Sequence, residues 1–137
     1  MVDLEKPPHG DPCNGCGWCC RNQLCPLASG VFGGSQNRQC PALEEAEGRA
    51  VCGLVAHPMA YRMVATLKHG VAAMGGAALT LIGSGVGCDA LAYGEEPSEA
   101  LRERSRLEFH KRRPLVRAAL RMWGVEHVVK AGPDPRF

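Results

Sequence analysis

The clearest hydrophobic period lies in the middle of the chain. After Pro58, apolar residues recur at spacings of four and three, as they do on one face of an α-helix. Gly70, Gly75 and Gly76 each weaken that helix by up to ~1 kcal/mol relative to Ala, so we expect burial to compensate or the helix to break near Gly75. The glycine-rich residues 83–87 end it. The predicted core stripe, which includes three methionines, consists of Met59, Met63, Leu67, Val71, Met74, Ala78 and Leu81.

Two further helices are predicted downstream. A mostly polar one begins at Pro97-Ser98-Glu99, where an acidic side chain suits the positive end of the helix dipole. The other spans residues 114–123 and ends at Gly124. Its apolar stripe, predicted to be buried, consists of Leu115, Val116, Ala119, Leu120 and Trp123.

The first 56 residues show no sustained apolar period. They are rich in glycine and proline and carry seven of the eight cysteines, a composition typical of a fold organised around a site. Residues 42–46 are good helix formers, and Pro41 precedes them at a first-turn position, which predicts a short helical turn. The predicted protein is mainly α: a Cys-rich, irregular metal-binding module (residues 1–56) on which a helical region (residues 57–137) packs, in one compact domain.

Length and charge limit the function classes. A chain of 137 residues is enough for one domain. The formal net charge of +2 is too small to indicate nucleic-acid binding. Residues 102–121 hold eight Lys or Arg against two Glu, which we interpret as a solvated helix face or a docking surface for an acidic protein partner; phosphate contacts to nucleic acid are a weaker alternative.

Membrane insertion and secretion are not predicted. The nearly apolar stretch at residues 71–86 is shorter than the about 20 residues that a membrane-spanning helix needs, and we expect it to be buried in protein. The N-terminus, Met1-Val2-Asp3-Leu4-Glu5, has no apolar region typical of a secretory signal. A cytoplasmic location follows as an expectation. In a reducing cytosol clustered thiols bind metal more often than they form disulfides, which remain the minority alternative.

The densest chemistry is the run Cys13-Asn14-Gly15-Cys16-Gly17-Trp18-Cys19-Cys20. Two residues between thiols allow both sulfurs to reach one centre, and the small glycines permit the tight turn. Two consecutive thiols normally point apart, so one of the last pair serves the first centre and the other a different role. Cys88 is interpreted as a small buried hydrophobic residue. Among the histidines, His9 is the one singled out as a candidate ligand, because it lies four residues before Cys13. The candidate metal ligands are Cys13, Cys16, Cys19, Cys20, Cys25, Cys40 and Cys52.

This run, followed by Cys40-Pro41-Ala42-Leu43 and by the segment at residues 49–58, resembles the zinc- or iron-chelating domain family with the C-x-x-C-x-x-C-C motif (YkgJ type). The resemblance covers roughly residues 12–62 and implies a metal site, with little indication of activity. The family usually has a further cysteine where this chain has Tyr61. Cys25 and Cys88 are the candidates to replace that thiol.

The metal is either zinc or iron. A structural zinc site takes four ligands in a closed tetrahedron, whereas an iron–sulfur cluster uses a C-x-x-C-x-x-C run as three corners and a remote cysteine as the fourth. The chain has one such knuckle and no second C-x-x-C pair, which favours a single [4Fe–4S]-type cluster and leaves zinc as the alternative.

Three functions fit these observations. The first is a cluster accessory, electron-transfer or enzyme-subunit protein; the second is a structural zinc protein that binds a protein or nucleic-acid partner; the third is an iron enzyme with an open cluster site. No Ser-His-Asp arrangement, paired carboxylates or phosphate loop stands out. The glycines at residues 83–87 fail the dinucleotide fingerprint because residue 88 is Cys. We therefore favour a non-enzymatic role.

Overall fold

The computed structural model of the protein describes residues 4–82, 86–88 and 90–127. The architecture is mainly α, as the sequence predicts, and it also contains one small hairpin, which the sequence did not predict. No helix in these ranges is both long enough and apolar enough to cross a bilayer. In chain order the elements are α1 (Trp18–Asn22), α2 (Pro26–Phe32), β1 (Leu43–Ala46), β2 (Arg49–Cys52), α3 (Gly53–Ala56), a 3₁₀ turn (Pro58–Ala60), α4 (Met63–His69), α5 (Val71–Leu81), α6 (Glu99–Lys111) and α7 (Arg113–Trp123).

The core lies where α5 packs against α7 and α3. Trp123 is almost fully buried, and its indole Nε1 donates a hydrogen bond of 3.0 Å to the carbonyl of Met74. A Cβ at Gly75 would lie 2.6 Å from the carbonyl oxygen of Val55, so α3 and α5 meet through their backbones. The same apolar cluster continues into the N-terminal region through residues that include Leu24, Leu27, Ala28, Ala42 and Leu54.

The ends of the last two helices agree with the sequence prediction. The hydroxyl of Ser98 accepts a hydrogen bond of 3.1 Å from the Leu101 amide and so caps α6. Gly124 ends α7 in the left-handed region, at φ 68°. Four of the five predicted stripe residues of α7 are buried, but Leu115 is 63% exposed, since it lies about 100° around the helix axis from Val116.

The apolar segment after Pro58 is not one helix. It breaks at Gly70, where φ is 91°, and not near Gly75. Because of this break, only the last three residues of the predicted stripe face the core. Met74, Ala78 and Leu81 are buried, whereas Met59, Met63, Leu67 and Val71 are exposed. The prediction that the methionines belong to the core is therefore right for Met74 and wrong for Met59 and Met63. Part of the stretch expected to be buried in protein, including Leu79, also faces outward.

The predicted helical turn after Pro41 is wrong as well, because those residues form β1. This strand pairs antiparallel with β2, from Leu43 opposite Cys52 to Ala46 opposite Arg49. The two turn residues, Glu47 and Gly48, both have positive φ, as a tight hairpin turn of the favoured twist requires. Hairpin pairing thus outweighs the helix propensity of the segment and carries Cys52 to the start of α3.

Candidate functional site

Five cysteines from four separate segments interact with one another. The pKa of Cys20 responds to the thiols of Cys19, Cys40 and Cys25, and that of Cys25 responds to Cys52 and Cys40. Cys40 is buried in the apolar cluster, and Cys20, Cys25 and Cys52 pack against it. We call this set, Cys19, Cys20, Cys25, Cys40 and Cys52, the thiol cluster.

Each member is positioned by a short element. Cys19 and Cys20 lie in α1, Cys25 is the N-cap of α2, and Cys52 ends β2 and caps α3. Cys40 joins the set because its amide donates a hydrogen bond of 2.7 Å to the carbonyl of Cys20. The thiol cluster is therefore assembled by turns and helix starts, and no long element contributes to it.

Backbone amides point at three of these sulfurs. The Ala28 amide donates to Cys25 Sγ at 3.4 Å, and the Ala42 amide donates to Cys40 Sγ at 3.4 Å. Amides of Leu54 and Val55 act in the same way on Cys52. Such N–H donors stabilise a thiolate over a thiol, so the surroundings favour sulfur as a ligand once a cation is present.

Without a cation, four of these five thiols resist ionisation. Burial raises the pKa of Cys25 to about 11, and burial likewise raises the pKa of Cys40 and of Cys52. For Cys20 the hydrogen bond with Cys19 raises the pKa first, and burial adds to it. All eight cysteines lie in the described ranges and carry thiols, not disulfides. The thiols of Cys20, Cys25, Cys40 and Cys52 are thus protonated near neutral pH.

The thiols are gathered, but they are not arranged as a finished metal site. In the described part of the chain, no three Cys, His, Asp or Glu side chains have the geometry to hold a metal ion. The donor set nevertheless matches the chemistry of thiolate-bound iron or zinc. What the structure provides is a concentration of soft donors in an apolar setting.

The predicted C-x-x-C-x-x-C-C run is divided by the fold. Cys19 and Cys20 belong to the thiol cluster, whereas Cys13 is exposed and Cys16 is buried outside that set. The loop of Cys13 and Cys16 docks on the hairpin, because the Ala50 amide donates a hydrogen bond of 2.7 Å to the Gly15 carbonyl. Gly17 (φ 79°) completes this contact, since its Cβ would lie 2.6 Å from that of Ala50.

Cys88 and His9 lie in a different part of the molecule. His9 belongs to an N-terminal strap that we define as residues 6–11, and Cys88 is hydrogen-bonded to that strap through its backbone. Lys6 Nζ lies 2.6 Å from the Glu95 carboxylate and also interacts with Cys88. Burial lowers the Lys6 pKa, but the Glu95 hydrogen bond and the charges of Cys88 and Glu95 outweigh it, so the pKa is raised. His9 Nδ1 accepts a hydrogen bond of 2.8 Å from the Ser98 amide. Neither residue thus joins the thiol cluster.

Sequence reasoning missed a hydrogen-bonded triad beside the thiol cluster. The Tyr61 hydroxyl donates to Glu44 Oε2 at 2.7 Å, and His57 Nδ1 lies 2.7 Å from Glu44 Oε1. The Tyr61 hydrogen bond, followed by that of His57, lowers the Glu44 pKa. The hydrogen bond to Glu44, followed by burial, in turn raises the pKa of Tyr61 to about 12, with smaller contributions from Cys40 and Cys52. A side chain at Gly53 would collide with Glu44 and Tyr61, so this glycine makes room for the triad.

Two residues of this triad had a signal in the sequence. Tyr61 stands where the family that the cysteine motifs resemble usually has a cysteine, and His57 was one of several lone histidines considered as ligands and interpreted as surface or capping residues. Glu44 carried no signal. In the fold, Tyr61 packs edge-on against Phe32 of α2, with ring centroids 5.8 Å apart. An aromatic ring and its hydrogen-bonded carboxylate thus occupy the region where another thiol was expected.

Comparison with known proteins adds no assignment. No family model, no curated protein and no solved structure matches this chain. The thiol cluster and its surroundings therefore provide the indications of function.

Proposed function

We propose that the protein binds a [4Fe–4S]-type iron–sulfur cluster through Cys20, Cys25, Cys40 and Cys52, as a cluster accessory, electron-transfer or enzyme-subunit protein. The observation that supports this proposal is the convergence of the thiol cluster. Its members are spread over residues 19–52, yet they fold close enough to alter one another's pKa. An apolar fold has no reason of its own to collect so many thiols at one place.

The surroundings suit a bound cluster. Amides donate to the sulfurs of Cys25, Cys40 and Cys52, and such donors, together with burial, tune the reduction potential of a thiolate-bound cluster. When bound, the group supplies one-electron transfer. The protein's own part is to hold the thiols, exclude water and release their protons as the metal binds.

A partner protein with an acidic surface fits the outer face of α7. Arg113, Arg117 and Arg121 follow one another at helical spacing, all exposed, and α7 contains no acidic residue. Within the described ranges these three arginines form no ion pair, in contrast to Arg102, Arg106 and Lys111 on α6. We propose this face as the surface that an acidic electron-transfer partner contacts.

Zinc is the second candidate, because four thiols also meet the ligand count of a closed structural site. Metal analysis and an absorption spectrum of anaerobically purified protein separate the two. We expect iron, inorganic sulfide and a broad visible absorption that bleaches with dithionite. A colourless protein with stoichiometric zinc would establish the second candidate, and a folded protein free of metal would refute both.

Single substitutions test the ligand set. Cys40→Ser and Cys52→Ser are expected to lose the metal, whereas Cys88→Ser, the matched control next to Lys6, retains it. Cys13→Ser is also expected to retain it, since Cys13 is exposed. Loss of metal in Cys13→Ser together with retention in Cys52→Ser would move the centre to the first cysteine run and contradict the proposed ligands.

A further inference from the structure

Two backbone hydrogen bonds join the end of α1 and the residues after it to the segment that leads into β1. The Cys40 amide donates to the carbonyl of Cys20 at 2.7 Å, and the Leu24 amide donates to the carbonyl of Gln36 at 2.8 Å. The chain advances from Cys20 to Leu24 on one side of this contact and returns from Gln36 to Cys40 on the other. The two segments are therefore antiparallel, and Cys20 lies opposite Cys40.

This contact brings two thiols within reach of a covalent bond. In an antiparallel ladder, the Cα atoms of a hydrogen-bonded pair lie about 5.5 Å apart, and a disulfide requires a separation of about 4.4–6.8 Å. Cys40 is buried in the apolar cluster, and Cys20 packs against it. Apart from its neighbour Cys19, Cys40 has the largest charge effect of any thiol on the pKa of Cys20. Backbone, packing and charge thus place the two sulfurs together.

The other members of the thiol cluster are not aligned in this way. Cys19 directly precedes Cys20 on α1, and successive side chains on a helix diverge by about 100°, which does not suit a bridge between them. Among the described residues, Cys25 and Cys52 have no backbone hydrogen bond to another member of the thiol cluster. Cys20 and Cys40 are therefore the pair that the backbone holds in register.

We propose that Cys20 and Cys40 form a reversible disulfide in the metal-free protein, with a low-molecular-weight disulfide as the oxidant. The thiolate of one cysteine attacks the oxidant and forms a mixed disulfide, which releases one small thiol. The other cysteine then displaces the second small thiol and closes the Cys20–Cys40 bond. Two electrons pass from the protein to the oxidant, and both protons of the protein thiols end on the two released thiols.

The disulfide controls whether the centre can be occupied. This effect depends on the proposed function, in which Cys20 and Cys40 are two of the four ligands. A thiolate is the form of cysteine that binds metal, and the disulfide removes two thiolates. Oxidised protein should therefore take up less than about a tenth of the Zn²⁺ that reduced protein takes up. A bound metal should in turn protect both thiols from the oxidant.

Peptide mapping of the full-length, metal-free protein after incubation with glutathione disulfide tests the pairing. Because the thiols of Cys20 and Cys40 are protonated near neutral pH, their attack is slow, and the incubation continues until the mass no longer changes. Trypsin cleavage after arginine places Cys20, Cys25, Cys40 and Cys52 on four different peptides. We expect the Cys40 peptide to be linked to the N-terminal peptide, which carries Cys20. An unlinked Cys40, or a Cys40 linked to the peptide of Cys25 or Cys52, overturns the proposal.

Two adjacent residues of α1 supply matched variants. Cys19→Ser should keep the bond to Cys40, whereas Cys20→Ser should lose about nine tenths of it or more. A bond of wild-type extent in Cys20→Ser assigns the bridge to another thiol and overturns the proposal. Fragment spectra of the linked wild-type peptide also distinguish Cys20 from Cys19, so the pairing is decided even where a variant fails to fold.

Zinc uptake separates the disulfide from the proposed function. Uptake by the reduced protein that is lost on oxidation and restored by dithiothreitol supports both. Oxidised protein that carries the Cys20–Cys40 bond and still takes up the full amount of zinc supports the disulfide but refutes the proposed ligands. Reduced protein that takes up neither zinc nor iron refutes the proposed function, whereas the mapped bond still establishes the disulfide.

Discussion

The cysteine-rich region and the helical region are held together by different means. The helical region buries large side chains between elements of eleven residues, α5 and α7, with Trp123 and Met74 at their contact. The N-terminal region is built from elements of four to seven residues, too short to be stable alone. The first region is therefore stabilised by its packing on the shared apolar cluster, whereas the second contains longer helices that pack directly on each other.

The largest expected difference in the free energy of unfolding is between alanine substitutions of the two tryptophans. Trp123→Ala is expected to cost about 3–5 kcal/mol in the free energy of unfolding, because it leaves a cavity at the α5–α7 contact. Trp18→Ala, in the half-buried first turn of α1, should cost about 1 kcal/mol. Urea unfolding followed by circular dichroism measures both values. A larger loss for Trp18→Ala would reverse the comparison between the regions.

The next largest effect compares alanine substitutions at two glycines, one on each side of the contact between the first cysteine loop and the hairpin. Gly17 and Gly48 both have positive φ, at 79° and 74°, so alanine strains the backbone at either place by about 1–2 kcal/mol. Only at Gly17 would the new methyl group meet Ala50, which raises the expected loss to about 2–4 kcal/mol. Equal unfolding free energies for Gly17→Ala and Gly48→Ala would show that the first cysteine loop does not dock on the hairpin.

A smaller, pH-dependent effect is expected at the triad. Glu44→Gln should cost about 1 kcal/mol at neutral pH, since it weakens the hydrogen bonds to Tyr61 and His57. Because these partners lower the Glu44 pKa below its ordinary value of 4.5, the contribution is complete above that value and disappears as the pH falls through the lowered pKa. Unfolding curves at neutral and acid pH test this; a difference from wild type that grows on acidification would contradict it.

The smallest expected effect concerns the reactivity of the cysteine thiols and not the stability of the protein. In metal-free protein at neutral pH, Cys25 should react with iodoacetamide much more slowly than the exposed Cys13, because burial raises its pKa to about 11 and the thiolate is the reactive form. Its rate should rise about tenfold per pH unit below that value. Peptide mass spectrometry distinguishes the two sites, and equal labelling at neutral pH would refute the buried thiol cluster.

The parts of the fold that the sequence predicted well depend on local signals. Ser98 and Gly124 mark the ends of α6 and α7 through their own hydrogen bonds and dihedral angles, which neighbouring residues determine. The break at Gly70 was harder, since Gly70, Gly75 and Gly76 weaken a helix alike. Only the fold reveals that Gly75 is needed for the approach of α3. The hairpin at Leu43 likewise depends on a partner strand that helix propensity does not register.

The candidate site, like the fold, has parts that the sequence predicts and parts that depend on tertiary contacts. The density of cysteines was visible in the sequence, and Cys25, Cys40 and Cys52 were named as candidates. Their convergence with Cys20 depends on backbone contacts such as the Cys40–Cys20 hydrogen bond, which spacing does not predict. Glu44 reaches the site because the hairpin places it there, and an isolated glutamate in a sequence gives no indication of that.

The N-terminal strap has a consequence for biosynthesis. Gly10 and Asp11 exchange backbone hydrogen bonds with Cys88, and Arg104 donates to the Gly10 carbonyl. The ribosome makes the strap early and its partners more than seventy residues later, so the strap has no docking site while translation proceeds. A nascent chain that stalls before residue 86 leaves Lys6 without Glu95, and such an intermediate should be a preferred substrate for chaperones and proteases.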